Sequence, residues 1–466
     1  MLFSSYIFLF AFLPATLLVY WLLRGSAARL AFLALTSYIF YAYWDWRYIP
    51  LMIAATSIDW IAGGMIARSD ERRRRKLLLA AAITLNVAIL GYFKYRGFFL
   101  DSLNGLSALL GGGRPFPTLR VILPLGISFY TFSAIAYVVD VYRGTCAPAK
   151  NLIHYSAFIA MFPRVTAGPI VRYTDIDDQF ANMEPRLTAN LAATGLYFFA
   201  CGLAKKLLVA DVLLPHVDNL FATAGSLGFF SSWAAALGYT LQLYFDFSGY
   251  SDMAVGAAFF LGFRLPQNFD SPYKATNASQ FWRRWHMTLS FWLRDYIFIP
   301  LGGSWGTLKM TVRNLMITFL IGGLWHGAGW TFVIWGGLWG FYQSAHLVAR
   351  RYKLTPSWTW LNRAITFVCV VIAWVFFRAP SVKVAGGMLK AMVGLHGFES
   401  AHRLSALVGV NFALMIFAGL LWVNFAPNTW EIKLQPKLRY AVVLGLLPGA
   451  AILMMSNPSP FLCFQF

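Results

Sequence analysis

The sequence predicts an all-α polytopic membrane protein, and three observations carry that reading. Of its 466 residues, 59% are hydrophobic and 12% are charged. A soluble domain carries about 25% charged residues, so this chain cannot cover a water-facing surface in the usual way. Apolar runs long enough to cross about 30 Å of hydrocarbon recur from end to end. The basic residues, which bring the net charge to +20, sit mostly in short stretches between those runs, where the positive-inside rule accounts for them. No nucleic-acid-binding module is legible. The 18 Trp and 22 Tyr fit interfacial belts and helix packing.

Taken in order, Tyr6–Leu23 reads as a first span. Its arginines follow it, at Arg24 and Arg29, so it reads as a retained span with an outside N-terminus and not as a cleaved leader. Spans are expected at 30–43 and 48–65, the second carrying Asp59, which either pairs with a neighbour or lines a cavity. The run Arg68–Lys76 is the densest positive cluster and is expected in the cytoplasm. The next span opens at Leu77, and Phe98–Leu110 is a shorter amphipathic piece suited to the membrane surface. Ile122–Val141 crosses again. Phe158–Arg172 is interrupted by Pro163, Gly168 and Pro169 and reads as re-entrant, because broken backbone at membrane depth is tolerated only inside protein or beside a wet cavity.

Further spans are expected at 191–210 and 229–245, then a polar-speckled one at 246–260 with Asp246, Ser251 and Asp252. Leu261–Lys309 is the longest region without a clean span. Within it Ser279–Arg294 reads as a helix placing Arg283, His286 and Ser290 on one face, followed by Asp295 and Tyr296. A segment at 315–348 and spans at 364–377, 405–423 and 440–455 complete the chain, with the C-terminus outside. Cys146, Cys201, Cys369 and Cys463 show neither metal-ligand nor disulfide-framework spacing.

The most informative stretch is Ile321–Trp339, IGGLWHGAGWTFVIWGGLW. It is apolar enough for a bilayer yet carries His326, which reads as lying near the middle of a long membrane segment. Gly322, Gly323, Gly327 and Gly329 surround the imidazole, and Trp325 and Trp330 flank it. A titratable group at membrane depth costs a few kcal/mol and marks a site by default. Two readings stand at this point: a neutral histidine bonded to a neighbouring helix, or a reacting imidazole.

The combination Trp285-His286, Trp292-Leu-Arg-Asp-Tyr296, Pro300-Leu-Gly-Gly303 and Leu324-Trp325-His326-Gly327 resembles the membrane-bound O-acyltransferase (MBOAT) family. The likeness is to its alginate O-acetyltransferase branch, with its AlgI and PatA types, and extends over nearly the whole chain. It includes Pro124-Leu-Gly-Ile-Ser-Phe-Tyr130 and Tyr244-Phe-Asp-Phe-Ser-Gly-Tyr-Ser-Asp252. Cys463 departs from it, related chains often carrying Tyr there. The resemblance implies one integral membrane domain over residues 1–466, with its motif core at 261–349. It implies a ring of tilted helices around a central funnel, with about 11–13 spans plus re-entrant or interfacial helices.

The family's catalytic histidine matches His326 and its second histidine His286. The resemblance also implies acetyl-CoA as donor on the cytoplasmic side, no bound cofactor or metal, and a bacterial inner-membrane location. The acetyl group is expected to pass to a periplasmic SGNH-type partner and on to a polysaccharide or cell-wall glycan. Acyl transfer to a hydroxyl needs a base for the hydroxyl proton, which an imidazole suits. No serine or cysteine adjoins His326, so direct attack is simpler than an acyl-enzyme. His286 and Asp295 are expected either to orient that imidazole or to polarise the carbonyl, with Tyr296 as a further supporting polar residue. Arg283, Arg284 and Arg294 are candidate contacts for the donor's phosphates, or for lipid phosphates. Residues 456–466 are expected on the outer face, either docking a partner or capping the last helix. The polar residues along the membrane segments also suit a proton-coupled transporter or flippase, and a scaffold for polysaccharide export is a third reading.

Overall fold

The computed structural model describes residues 1–117, 121–433, 438–455 and 459–462. Among them are twenty α-helices and no strand. They divide into two compact units, Met1–Phe199 with Met253–Pro266 and Ala200–Asp252 with Gln267–Phe466.

In the first unit a π-helical turn at Phe8–Phe12 leads into α1 (Leu13–Leu22). The Phe8 and Phe12 rings pack on Phe40 and Phe162, which draws this helix into the core. Helices α2 (Ser26–Asp45) and α3 (Ile49–Arg68) meet at a short 3₁₀ turn, where the Asp45 carboxylate accepts from the Arg47 amide. Asp59 of α3 is buried and accepts from Asn86 Nδ2 at 2.7 Å, which resolves its role as a pairing one. Asn86 belongs to α4 (Arg72–Leu90), whose first turn is the arginine run itself, so the helix begins before Leu77. A π-helical turn at Gly91–Tyr95 carries α4 directly into α5 (Arg96–Leu109). The expected separate surface helix is therefore a continuation, because nothing at Gly91–Tyr95 breaks the backbone ladder.

Helix α6 (Ile127–Arg143) starts later than expected and ends on left-handed Gly144, with the Thr145 amide bonded back to the Asp140 carbonyl. After α7 (Leu152–Ala160) the chain runs through residues 161–171 without a regular helix, almost wholly buried. Arg164, 3% exposed, makes this tolerable. Its guanidinium bonds the Phe158 carbonyl left open at the end of α7, and also Ser133 Oγ at 2.9 Å. The expected broken segment inside protein is what the unit contains. Helices α8 (Tyr173–Ala181) and α9 (Ala189–Ala204) follow, and the last turn of α9 belongs to the second unit.

The second unit continues with a π-helical turn at Lys205–Ala210, α10 (Asp211–Ala222) and most of α11 (Phe229–Phe260), whose residues from Met253 on belong to the first unit. Two spans were expected where α11 is one helix of 32 residues. Its acids do not interrupt it because each meets a lysine. Lys206 Nζ lies 2.7 Å from Asp246 and 2.8 Å from Asp211, and Lys205 Nζ lies 2.6 Å from Asp252. Lys206 also bonds Ser459, the Leu462 amide bonds Asp246, and the Phe461 ring stands on Tyr250. Phe461 and Leu462 are thus buried within the chain. Cys463, with residues 456–458 and 464–466, lies outside the described residues.

The remaining helices are α12 (Ala278–Trp282), α13 (Met287–Leu293), α14 (Leu308–His326), α15 (Trp330–Arg351), α16 (Thr359–Arg378), α17 (Val382–Met392), α18 (Ala401–Leu407), α19 (Val410–Phe425) and α20 (Leu438–Leu453). The expected span at 405–423 is broken, since α18 and α19 are bent by 76° at Gly409. Among the described residues Ser26–Arg68, Arg72–Leu109 and Thr359–Arg378 are long and apolar enough to cross a membrane, and the bent pair makes a fourth if taken as one span. The other apolar runs form shorter or broken helices, or helices that carry polar residues.

Candidate active site

The candidate site lies within the second unit and begins at the α14–α15 hairpin. The expected single segment around His326 is in fact two antiparallel helices joined by Gly327-Ala328-Gly329. The turn forms because Gly327 and Gly329 stand in extended backbone, where the helical ladder stops. Gly323 and Gly336 let the two backbones touch: a Cβ on Gly323 would overlap the Phe332 carbonyl oxygen, and one on Gly336 the Phe319 carbonyl oxygen. His326 is therefore the last residue of α14, at the tip of a hairpin, and not the middle of a helix. The hairpin also brings Lys309 and Arg313 to the same end as Arg350 and Arg351.

Around His326 stand Trp335 and Phe377, both edge-on, with ring centroids at 4.8 and 5.2 Å. Trp325 is buried beside it, whereas Trp330, the other expected flank, is 58% exposed and faces away from the core. His326 as a residue is half-buried, and its Nε2 is buried. The second histidine is close: the His286 and His326 ring centroids are 6.4 Å apart.

His286 is held very differently. The expected continuous helix over 279–294 is broken at Arg283–His286, with α12 before the break and α13 after it. His286 caps α13 in the left-handed region, at φ 42°. A non-glycine residue there is strained, and it persists only when its surroundings over-determine it. The surroundings do so from both sides, since the Asp270 amide donates to the Arg284 carbonyl and the Met287 amide to the Asn268 carbonyl, each at 2.9 Å. The His286 ring is fully buried, edge-on to Phe247 at 4.8 Å, with Nδ1 3.1 Å from Asn268 Oδ1. Burial pushes its pKa down to about 3, so the ring is neutral at physiological pH.

An aromatic wall fixes the scaffold between the two histidines. Phe281 stacks on Trp339 at 4.8 Å, and Trp285 packs on Trp374 at 4.9 Å. Gln343 of α15 bonds both Ser279 Oγ and the Ala278 carbonyl, tying α12 to the hairpin that carries His326. The structure thus unites His286 and His326, far apart in sequence, on one rigid support.

The break removes the expected shared face of Arg283, His286 and Ser290: Arg283 is exposed where His286 is buried. Arg284 is directed to Asp270, through the carbonyl at 3.0 Å and the carboxylate at 3.4 Å. Arg294 forms a two-point pair with the adjacent Asp295, at 2.6 and 3.0 Å, on a π-helical turn. Tyr296 packs on Trp292 at 5.2 Å. Sequence reasoning missed Asn268, Phe247, Trp335 and Phe377. Asn268 lies in Gln267-Asn-Phe-Asp270, an irregular stretch with no periodicity, so no sequence signal pointed to it.

Comparison with known proteins gives a consistent result. The model of the membrane-bound O-acyltransferase family matches residues 149–385. A probable alginate O-acetylase of Pseudomonas aeruginosa is 41% identical over 439 residues, covering 91% of this chain and 81% of its own length. A peptidoglycan O-acetyltransferase of Helicobacter pylori is 40% identical over 437 residues, covering 86% and 81%. A teichoic acid D-alanyltransferase of Bacillus subtilis is 29% identical over 270 residues, covering 56% of this chain and 68% of its own length.

Proposed function

This chain belongs to the membrane-bound O-acyltransferase family, and on that premise we propose that it moves an acetyl group from acetyl-CoA toward a cell-envelope glycan, by way of the hydroxyl of an acceptor partner. The observation that carries the reading is the pair of imidazoles 6.4 Å apart, one at a hairpin tip and one buried and locked. His326, at the end of α14, is the general base. It takes the proton of the attacking hydroxyl as oxygen adds to the thioester carbonyl. The tetrahedral adduct then expels the thiolate of CoA, which receives that proton. His286 supports it from behind.

Arg283 is the best placed of the three arginines for the donor's phosphates, because it is exposed while Arg284 and Arg294 already hold carboxylates. Asp295 and Tyr296 act by fixing the turn after α13. The whole chain, residues 1–466, works as one catalytic domain in the bacterial inner membrane, with both termini outside and the donor side in the cytoplasm. Relatives named as a probable alginate O-acetylase and a peptidoglycan O-acetyltransferase support a glycan as the eventual acceptor. A periplasmic SGNH-type protein receives the acetyl group and completes transfer to the polymer. A proton-coupled transporter is disfavoured because Asp246 and Asp252, which it would use, are spent on Lys206 and Lys205.

The test is turnover by the purified chain in lipid nanodiscs, read as CoA release and as acetylated glycan. Wild type should release CoA in the presence of an acceptor and acetylate polymer efficiently once the SGNH-type partner is added. His326→Ala should lose turnover by about 10²-fold or more while keeping its thermal-unfolding midpoint. Full activity in His326→Ala sinks the base assignment. Efficient polymer acetylation without any partner sinks the relay.

A further inference from the structure

Asn268 is a side chain that neither the sequence motifs nor the family comparison singles out. It is 2% exposed and lies at the meeting point of three segments. Its Oδ1 is 3.1 Å from His286 Nδ1, 2.9 Å from Thr288 Oγ1 and 3.4 Å from the Thr288 amide. Its Nδ2 donates to Ser251 Oγ of α11 at 3.1 Å.

Which way this amide faces follows from the donors around it. A backbone N–H can only donate, so the atom facing the Thr288 amide has to be the oxygen. Turning the amide over would set its NH₂ against that N–H. The oxygen is an acceptor with no proton to give, so a neutral His286 carries its proton on Nδ1 and its lone pair on Nε2.

We propose that Asn268 is a positioning residue that commits His286 to the Nδ1–H tautomer, so that Nε2 enters the reaction as a hydrogen-bond acceptor and not as a donor. This rests on the acyltransferase reading above and deepens it. Of the two supporting roles open to the second histidine, polarising the thioester carbonyl requires a donor, which this tautomer lacks at Nε2. What remains is to accept a hydrogen bond and so orient the group that reacts, either the His326 imidazole or the attacking hydroxyl. The strained backbone serves the same end, because φ 42° at His286 is what lets its ring reach back to Asn268 while α13 starts immediately after it.

Among the described residues, the acids near this pair have partners of their own. His326 of α14 is the titratable ring facing His286. Asp270 is held by Arg284 and Asn428, and Asp252 of α11 by Lys205 and Thr429.

The experiment reads the tautomer and the turnover separately. The chain is labelled with ¹⁵N-histidine, and the His286 signals are assigned by difference from His286→Gln. Wild type should show a protonated Nδ1 and an unprotonated Nε2. Asn268→Leu, close in shape but without the acceptor, should populate the other tautomer and lower kcat by about 10²-fold with little change in KM for the donor. Asn268→Asp keeps an oxygen at the same place and should restore the wild-type tautomer and most of kcat.

A wild-type His286 protonated on Nε2 overturns the proposal, whatever the activity. So does an Asn268→Leu protein with wild-type tautomer and turnover. If Asn268→Leu does not fold, the wild-type spectrum and the Asn268→Asp protein still decide the matter. Failure of the acyltransferase reading would appear differently, as absence of turnover in wild type with the Nδ1–H tautomer intact.

Discussion

Lys206 offers the sharpest test of how this fold carries charge inside an apolar chain. Its ammonium is 1% exposed and touches Asp246 at 2.7 Å, Asp211 at 2.8 Å and Ser459 at 2.9 Å. Breaking a buried pair by removing one partner costs about 3–5 kcal/mol, because an uncompensated charge stays behind. Asp246→Asn should fall at the lower end of that range, since Lys206 keeps Asp211 and Ser459. Lys206→Met should fall at the upper end, since it strands Asp246, 2% exposed, beside a second carboxylate.

The double variant should be more stable than the sum of the two losses predicts. It removes both buried charges and leaves only Asp211, which at 17% exposure can still be solvated. The assay is the thermal-unfolding midpoint of the four proteins in one detergent, with CoA release per folded molecule measured alongside. The double variant should keep turnover, because the pair is structural. A Lys206→Met protein as stable as wild type, strictly additive losses, or a stable double variant without turnover would each refute the reasoning.

Three further outcomes are expected. Gly336→Ala would push α14 and α15 apart at the Phe319 carbonyl, costing about 1–3 kcal/mol and, by displacing His326, about 10²-fold in turnover. Gly337→Ala, whose methyl meets nothing closer than Leu320 at 3.9 Å, should be tolerated. Glu399 caps the start of α11, accepting from the amides of Gly228, Phe230 and Ser231. Burial alone would raise its pKa, but the bonds from Ser231 and these amides outweigh that and hold it below 4.5. Its contribution is therefore complete above the ordinary glutamate range and lost as pH falls through the depressed value. Glu399→Gln should remove that acid-side dependence, at a cost of roughly 1 kcal/mol near neutrality, read from thermal midpoints across pH. Single cysteines at Arg73 and Arg283, both exposed, should resist an impermeant reagent in intact cells and react after permeabilisation. Labelling of Arg283→Cys from outside would reverse the donor side.

Much of this protein is legible in its sequence. The helical class follows from apolar runs that have nowhere else to satisfy their backbone. The broken stretch at 158–172 follows from Pro163, Gly168 and Pro169. What the chain could not reveal locally was where helices stop for reasons that lie in distant residues. Composition reads Ile321–Trp339 as one apolar segment, yet the contact of Gly323 with Gly336 makes it a hairpin and puts His326 at its tip. Periodicity reads 279–294 as one helix, yet backbone bonds from Asn268 and Asp270 hold His286 out of it. The acids of α11 look like interruptions until Lys205 and Lys206 meet them. Helix type and polarity are set by residues within a few turns of one another, and sequence shows those directly. The tautomer of a histidine, the break in a helix and the neutralisation of a buried acid depend on partners that only folding brings within bonding distance.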